Sequence, residues 1–374
     1  MVLSCKYEQN SLDTNEVNNF IEYKAGQSVD DFVSQLKDHY KLPGVATAFI
    51  ENDSITHIIV KGENKSFNGS TLSIDSKFQI GSCGKAFTAL LITTFIEEGI
   101  ISWNTKLSDV YHDINIHKGY KKVTLKQLLS HTSGLREYSS DEEVFNIKGL
   151  IPHLEGDIIE KREIFTKWNL EQKPVFTVGE YHYSNAGYII IASMLEKLSG
   201  RSYESLMKER VFKPLDLHTA EFGYPFFNDH SQPHRHMFRD ENDRGITLKD
   251  NERIPDQIFH PAGFISLSIE DFATFVLVSV KALQGKETPF DNKLILELFK
   301  PAIKLENGYE IALGWQIITV NGTQTYGHTG SDQTIRAAMS INPKTNQAVV
   351  FATNIGDPTS EIALVNLITE LLDL

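Results

Sequence analysis

The sequence predicts an α/β (α+β) fold: an antiparallel sheet flanked by helices, built from N- and C-terminal segments, with a helical lobe inserted between them. Three observations predict it. Strand-like runs fall near both ends of the 374 residues. The middle reads as helices joined by long polar loops, and an apolar helical pattern closes the chain. Strands at both ends with helices between them fit one composite layer. Length suggests about two units. The reading assigns 28–100 and 261–374 to an α/β lobe, 101–260 to a helical lobe and 1–27 to a disordered N-terminal segment. A cleft between two such lobes is a natural place for a site.

Each element has a local cause. Ser28-Val29-Asp30-Asp31 resembles a capping box with Asp in place of Glu, and Phe32, Leu36 and Tyr40 follow at helical spacing. Pro43-Gly44 ends that helix. Val45–Ile50 and Ile55–Val60 read as a hairpin turning at Asn52-Asp53. Lys77–Ile80 is a short strand running into Gly81-Ser82, and an apolar helix carrying Phe87, Leu90, Leu91 and Phe95 follows. Thr124–Gln127 caps a helix that Gly134 is expected to stop. Ala186–Leu198 is a further apolar helix ending near Gly200. Residues 228–253, rich in His, Asp, Asn and Arg, read as an exposed loop. Ser268–Asp271 caps a helix running to about Leu283. Strands follow at Gly314–Val320, Gln324–His328, Thr334–Ile341 and Ala348–Thr353, with a turn at 342–346. Ser360–Leu372 is the closing helix. Neither internal repeats nor low-complexity segments interrupt this pattern.

Composition narrows the function. Hydrophobic content of 41% and charged content of 23% are ordinary for a folded protein. A formal net charge of -13 argues against nucleic acid as a partner, because phosphate binding needs a basic stripe. A small molecule or short peptide is the expected partner, and oligomeric state is not readable. No apolar run approaches the roughly 18 residues of a membrane helix. Two cysteines, Cys5 and Cys83, exclude a disulfide framework. Met1–Cys5 looks like the end of a lipoprotein signal lacking its hydrophobic stretch. That reading makes Cys5 a lipid anchor and the protein exported, periplasmic or lipid-anchored. The competing reading is an ordinary residue in a loose terminus, with a cytoplasmic location left open.

The chemistry lies in three ordered motifs: Ser82-Cys83-Gly84-Lys85, Tyr183-Ser184-Asn185 and His328-Thr329-Gly330. None suffices alone; S-x-x-K recurs at Ser34–Lys37 and Ser205–Lys208. Serine is a poor nucleophile until a neighbour takes its proton. At i and i+3 on a helix, Ser82 and Lys85 share a face. The helix N-terminus and burial both disfavour an extra ammonium, pushing Lys85 towards a base. Free N–H groups there can stabilise an oxyanion. Gly84 costs roughly 0.5–1 kcal/mol in a helix relative to Ala, which close approach of another backbone would explain. Cys83 reads as a small buried apolar residue. Tyr183 can relay a proton, and Asn185 can hold Lys85 and a substrate amide together. An extended segment would put Tyr181, Tyr183 and Asn185 on one side. His328 ends a strand and could bind a carboxylate or assist proton transfer. Gly330 permits close approach of a ligand, and the Ser331 amide is a second oxyanion donor. No cofactor is called for, and His234-Arg235-His236 near Asp240 lacks a tetrahedral metal set.

As an ordered set these motifs resemble the penicillin-recognising serine hydrolases: class C β-lactamases, D-alanyl-D-alanine carboxypeptidases and related esterases and D-amino-acid peptidases. The resemblance spans roughly 28–374. It extends through Leu128–Leu135, Gly179, Tyr183–Tyr188, Pro214-Leu215, Ala262-Gly263, Gly314-Trp315 and Gly327–Gly330. It implies a β-lactamase/transpeptidase-like fold, Ser82 as the acylated nucleophile, Lys85 as its base, Tyr183 as proton shuttle and Asn185 as orienting group. It also implies that His328 and the Ser331 amide line the acyl site. The chain departs from the class C pattern most at His328, where those enzymes have Lys; His is familiar among carboxypeptidase-like and esterase-like members. Gly84 and Val178 are milder departures. The expectation is therefore a serine acyl hydrolase preferring esters or small peptide-like amides to β-lactams, with carboxylate-bearing substrates favoured as His328 gains a proton near pH 6. The alternative is a slow or non-catalytic sensor of cell-wall peptides or β-lactams. An α/β-hydrolase elbow at Ile80–Gly84 is a near miss for G-x-S-x-G and leaves the tyrosine motif unexplained.

Overall fold

The computed structural model describes residues 20–66, 68–238, 244–248, 254–320 and 322–372. Its longer helices are α1 Val29–His39, α2 Gly84–Glu97, α3 Ile158–Leu170, α4 Asn185–Ser199, α5 Ile269–Leu283 and α6 Pro358–Leu371. Its strands are β1 Gly44–Glu51, β2 Ser54–Gly62, β3 Phe78–Gln79, β4 Glu221–Phe222, β5 His236–Phe238, β6 Arg244–Thr247 and β7 Ile265–Leu267, then β8 Ile303–Lys304, β9 Glu310–Ile311, β10 Gln316–Val320, β11 Thr323–Ser331, β12 Arg336–Asn342 and β13 Gln347–Thr353.

The main sheet has eight strands in the order β2-β1-β13-β12-β11-β10-β9-β8. All its pairings are antiparallel, and β1 joins the C-terminal strands through Val45 opposite Thr353. N- and C-terminal segments therefore do build one sheet. Side-chain alternation explains how it is covered on both faces. From β1 and β13, Ala46, Ala48, Ile50, Ala348, Val350 and Ala352 face the larger core, which takes in α2, α4 and α5. Val45, Val349 and Phe351 face a second core against Phe32, Val33 and Leu36 of α1 and Ala363, Leu364 and Leu367 of α6. Strands buried on both sides have no polar face, which is why they read as apolar runs. Helix α2 is buried nearly all round, as its uninterrupted apolar sequence requires.

The caps form as expected. Ser28 accepts from Asp31 N, Thr124 and Gln127 make a reciprocal box, and Ser268 accepts from Asp271 N. Gly200 closes α4 at φ 68°. The Thr124-capped helix, however, ends at Leu129, five residues before Gly134. Gly134 instead makes a turn at φ 75°, where a Cβ would meet Phe176 O at 2.6 Å.

Two sequence expectations need larger corrections. Residues 20–27 are not a loose tail: Ile21 exchanges hydrogen bonds with the Asn366 side chain, and Tyr23 packs on Phe32 at 5.2 Å. Residues 1–19, including Cys5, lie outside the described residues. The stretch read as an exposed loop at 228–253 is partly interior. His234, Arg235 and His236 are all buried. His236 enters β5, its Nδ1 pairs with Asn354 O at 2.7 Å, and its Nε2 accepts from Ser66 N at 2.9 Å. Polar side chains satisfied by distant partners can be buried; composition alone does not reveal those partners. Asp240 lies outside the described residues. No helix among those residues is long and apolar enough to cross a membrane.

Candidate active site

Ser82 sits in a single 3-10 turn, Gly81–Cys83, between β3 and α2. The turn is set from behind: Gly81 adopts φ 51° and donates to the Gln79 side-chain oxygen at 2.8 Å. Lys85 is one turn further on, and its side chain is completely buried. Its Nζ donates to Asn185 Oδ1 at 2.8 Å and to Ala262 O at 2.5 Å, and reaches Ser82 Oγ at 3.1 Å. The Tyr183 hydroxyl donates to the same Ser82 oxygen at 2.8 Å. Four sequence-predicted residues, Ser82, Lys85, Tyr183 and Asn185, are thus one hydrogen-bonded cluster.

Tyr183 and Asn185 do not share an extended segment. Ser184 is the N-cap of α4, accepting from Gly187 N, and Asn185 is its first helical residue. Asn185 also donates through Nδ2 to Tyr138 O at 2.8 Å, which fixes its amide orientation.

The third motif approaches from β11. A Cβ on Gly330 would lie 2.0 Å from Ile80 O and 2.8 Å from Ser82 N, so only glycine fits. A Cβ on Gly81 would meet Ser331 N at 2.6 Å. The Ser82 and Ser331 amides therefore border one corner. That corner opens into a cavity of about 380 Å³ lined by Ser82, Tyr183, Asn185 and Ser331, with Val144, Phe145, Met237, Phe259 and Phe264 as apolar wall.

His328 is placed differently from expectation. It is buried and lines a separate, much smaller cavity with His131, Tyr181 and Trp315. Its Nδ1 pairs with Thr329 O at 2.6 Å. Burial and the nearby Lys85 push its pKa down to about 4. Held neutral, it gains no charge near pH 6, so the expected strengthening of carboxylate binding over that range does not follow.

Sequence reasoning missed three supports. His131, at φ 59°, stacks on the Tyr183 ring at 4.4 Å and accepts from Ser184 N at 3.0 Å. Burial, then Lys85 and His328, hold it well below the usual imidazole range. Arg162 is fully buried, pairs with Glu196 and Glu204 at 2.5 Å, and donates to Gln257 O at 3.0 Å. It thereby anchors the turn Gln257–Ala262 that presents Ala262 O to Lys85. His260, on the same turn, pairs with Glu204 at 2.8 Å. Burial alone would raise Glu204, but His260 and Arg162 hold it at about 2. His131 lay inside the quoted Leu128–Leu135 segment; Arg162 and Glu204 carry no local signal. Gly84 does what its cost suggested: a Cβ there would sit 3.3 Å from Gly263 Cα. Cys83 is buried, with its thiol on His328 O at 3.2 Å.

A two-core antiparallel sheet, with serine, lysine and tyrosine in mutual contact at a cleft beside it, defines the β-lactamase/transpeptidase fold. The family model described as Beta-lactamase matches residues 29–371, and the chain belongs to that family. Among curated relatives it is 29% identical over 190 residues to "Penicillin-binding protein 4" of Amycolatopsis lactamdurans, covering 50% of this chain and 46% of that protein. It is 22% identical over 335 residues to "Protein flp" of Staphylococcus aureus, covering 88% of this chain and 63% of that protein. The chain thus spans less than two thirds of either relative. Its fold is similar to the octameric penicillin-binding protein homologue from Pyrococcus abyssi, with a TM-score of 0.74, 22% identity, and 91% and 76% of the two chains covered.

Proposed function

We propose that this protein is a serine acyl hydrolase that cleaves esters or small peptide-like amides through a covalent acyl-enzyme. The observation that carries the reading is the arrangement around Lys85 Nζ. Asn185 Oδ1 and Ala262 O take two N–H bonds, so the remaining position points at Ser82 Oγ. In the neutral amine that position is a lone pair, which receives the serine proton as Oγ attacks the substrate carbonyl carbon. The carbonyl π pair moves to oxygen, where the Ser82 and Ser331 amides are placed to stabilise it. Collapse breaks the bond to the leaving group, which takes a proton through Tyr183 from the Lys85 ammonium. Water then attacks the acyl-enzyme with the same groups in reverse roles. The apolar wall of the cavity suits an uncharged acyl group. His328, neutral and turned to its own cavity, supplies no cation for a substrate carboxylate, and Arg336, which lines the larger cavity, is paired with Glu361 at 3.3 Å, which favours esters over β-lactams.

Intact-mass analysis after exposure to a fluorophosphonate, a penicillin and a short-chain p-nitrophenyl ester tests this. One adduct on Ser82 is expected, absent in Ser82→Ala. Labelling that persists in that variant, or maps to Ser34 or Ser205, would falsify the assignment.

A further inference from the structure

The buried stretch that follows β4 touches the turn after Ser331 through the Tyr224 side chain. Tyr224, only 6% exposed, packs among Phe226, Phe227 and Phe264. The Arg235 guanidinium lies 4.4 Å above its ring and is itself buried. The Tyr224 hydroxyl donates to Asp332 Oδ2. The other Asp332 oxygen accepts from Thr334 N at 2.9 Å, Thr334 Oγ1 at 2.6 Å and Ile335 N at 3.1 Å. Ser331 Oγ closes the same turn, donating to Ile335 O at 2.8 Å and accepting from Gln333 N at 3.0 Å. The turn is strained enough to need such closure, since Gln333 sits at φ 72°.

We infer that Tyr224, backed by Arg235, is a positioning residue that sets the Ser331 amide against Ser82 by holding the Asp332 carboxylate. The inference rests on the hydrolase reading above. Asp332 follows Ser331 directly, so the turn closed by its carboxylate also holds Ser331, whose N–H, one peptide back towards Gly330, is the oxyanion donor. Donors in such a site act only when aimed at the place where charge develops, and small displacements lower the rate. Burial and the Asp332 carboxylate push the Tyr224 phenol well above its ordinary range, so it remains a donor at any working pH. The ring could fill the same space without its hydroxyl, which separates the positioning role from packing.

The test uses the full chain and a matched pair of substrates, a short-chain p-nitrophenyl ester and its thionoester. The thionoester develops charge on sulfur, which fits an oxyanion corner poorly. In Tyr224→Phe, kcat for the ester is expected to fall about tenfold with KM within about twofold, and the preference for ester over thionoester to shrink by a similar factor. Asp332→Asn retains an acceptor for the turn amides and should show a smaller loss in the same direction. Tyr224→Phe combined with Asp332→Asn should be little worse than the poorer single variant. A lowered Tm with kcat and the ester preference unchanged would overturn the inference and leave Tyr224 a packing residue. A wild-type protein that the fluorophosphonate does not label would overturn the hydrolase reading and this inference with it.

Discussion

Residues 78–97 and residues 221–267 meet at Ser82, but they carry their information in different ways. The first stretch is local. A strand, a glycine turn and an apolar helix follow one another, and Ser82 and Lys85 face each other because three residues on a helix return to the same side. The second stretch is assembled from afar. Its strand β4 pairs with β7, its His236 bonds to Ser66 and Asn354, and its Tyr224 bonds to Asp332. It delivers Ala262 O to Lys85 only because Arg162, on α3, holds the preceding turn. A short-range pattern can be read from order and spacing. A long-range one cannot, since the partner of each polar residue lies tens or hundreds of positions away.

The largest expected effect tests the local half. Lys85→Ala or Tyr183→Phe should each lower the acylation rate about 10² to 10⁴-fold. Because both act on the single Ser82 oxygen, the double variant should be little worse than the poorer single. Pre-steady-state release of p-nitrophenol measures the step directly. If the two losses simply multiplied, Lys85 and Tyr183 would be independent and the cluster would not be one proton-transfer unit.

The comparison also explains what was legible in the sequence. Caps at Ser28, Thr124 and Ser268, the β1–β2 hairpin and the four C-terminal strands are all set by neighbours within a few residues. The four clustered site residues were legible as motifs because each motif is a few residues long. The errors share a cause. Alternation in Tyr181–Asn185 allowed an extended segment with Tyr183 and Asn185 on one side, and it hid the capping role of Ser184, which starts the helix at Asn185. His328 was read as lining the acyl site, whereas it borders a separate small cavity, because strand position says nothing about which cavity lies beyond it. The 228–253 stretch was read as exposed because it is rich in Asp, Asn and Arg, which are mostly exposed, whereas cation–π contact and a distant carbonyl engage Arg235 and His236 here.

A second, smaller effect tests whether the long-range half is docked as described. Burial lowers the pKa of His236 to about 4, against roughly 6.5 for the unfolded chain. Between those values the unfolded state binds the extra proton, so stability should rise with pH across that window. Put the other way, it is intact above about pH 6.5 and lost as pH falls towards about 4. His328 titrates in the same direction. His236→Leu should therefore be less stable at neutral pH, having lost the bonds to Ser66 and Asn354, yet show a shallower decline of Tm from pH 6.5 to pH 4. Parallel Tm-against-pH curves for the variant and the wild type would mean that His236 is solvated, and the contrast between the two stretches would collapse.

The smallest effect lies where the stretches touch. Gly84→Ala would add a Cβ 3.3 Å from Gly263 Cα, 3.6 Å from Gly263 C and 3.7 Å from the Ile265 side chain. The helix gains up to about 1 kcal/mol from the exchange, and the tight contact with Gly263 offsets part of it. The neighbour must yield a few tenths of an ångström, and Gly263 is bonded to Ala262, whose carbonyl holds Lys85. Stability should hence change little, with Tm moving by no more than about 3 °C. The acylation rate should fall about threefold, since a displacement well under 1 Å at a catalytic group costs far less than the roughly 10²-fold of a full ångström. Calorimetry and burst kinetics on one preparation separate the two readouts. An unchanged burst rate would show that Gly263 yields away from Ala262 and that the backbone contact at Gly84 does not reach the lysine.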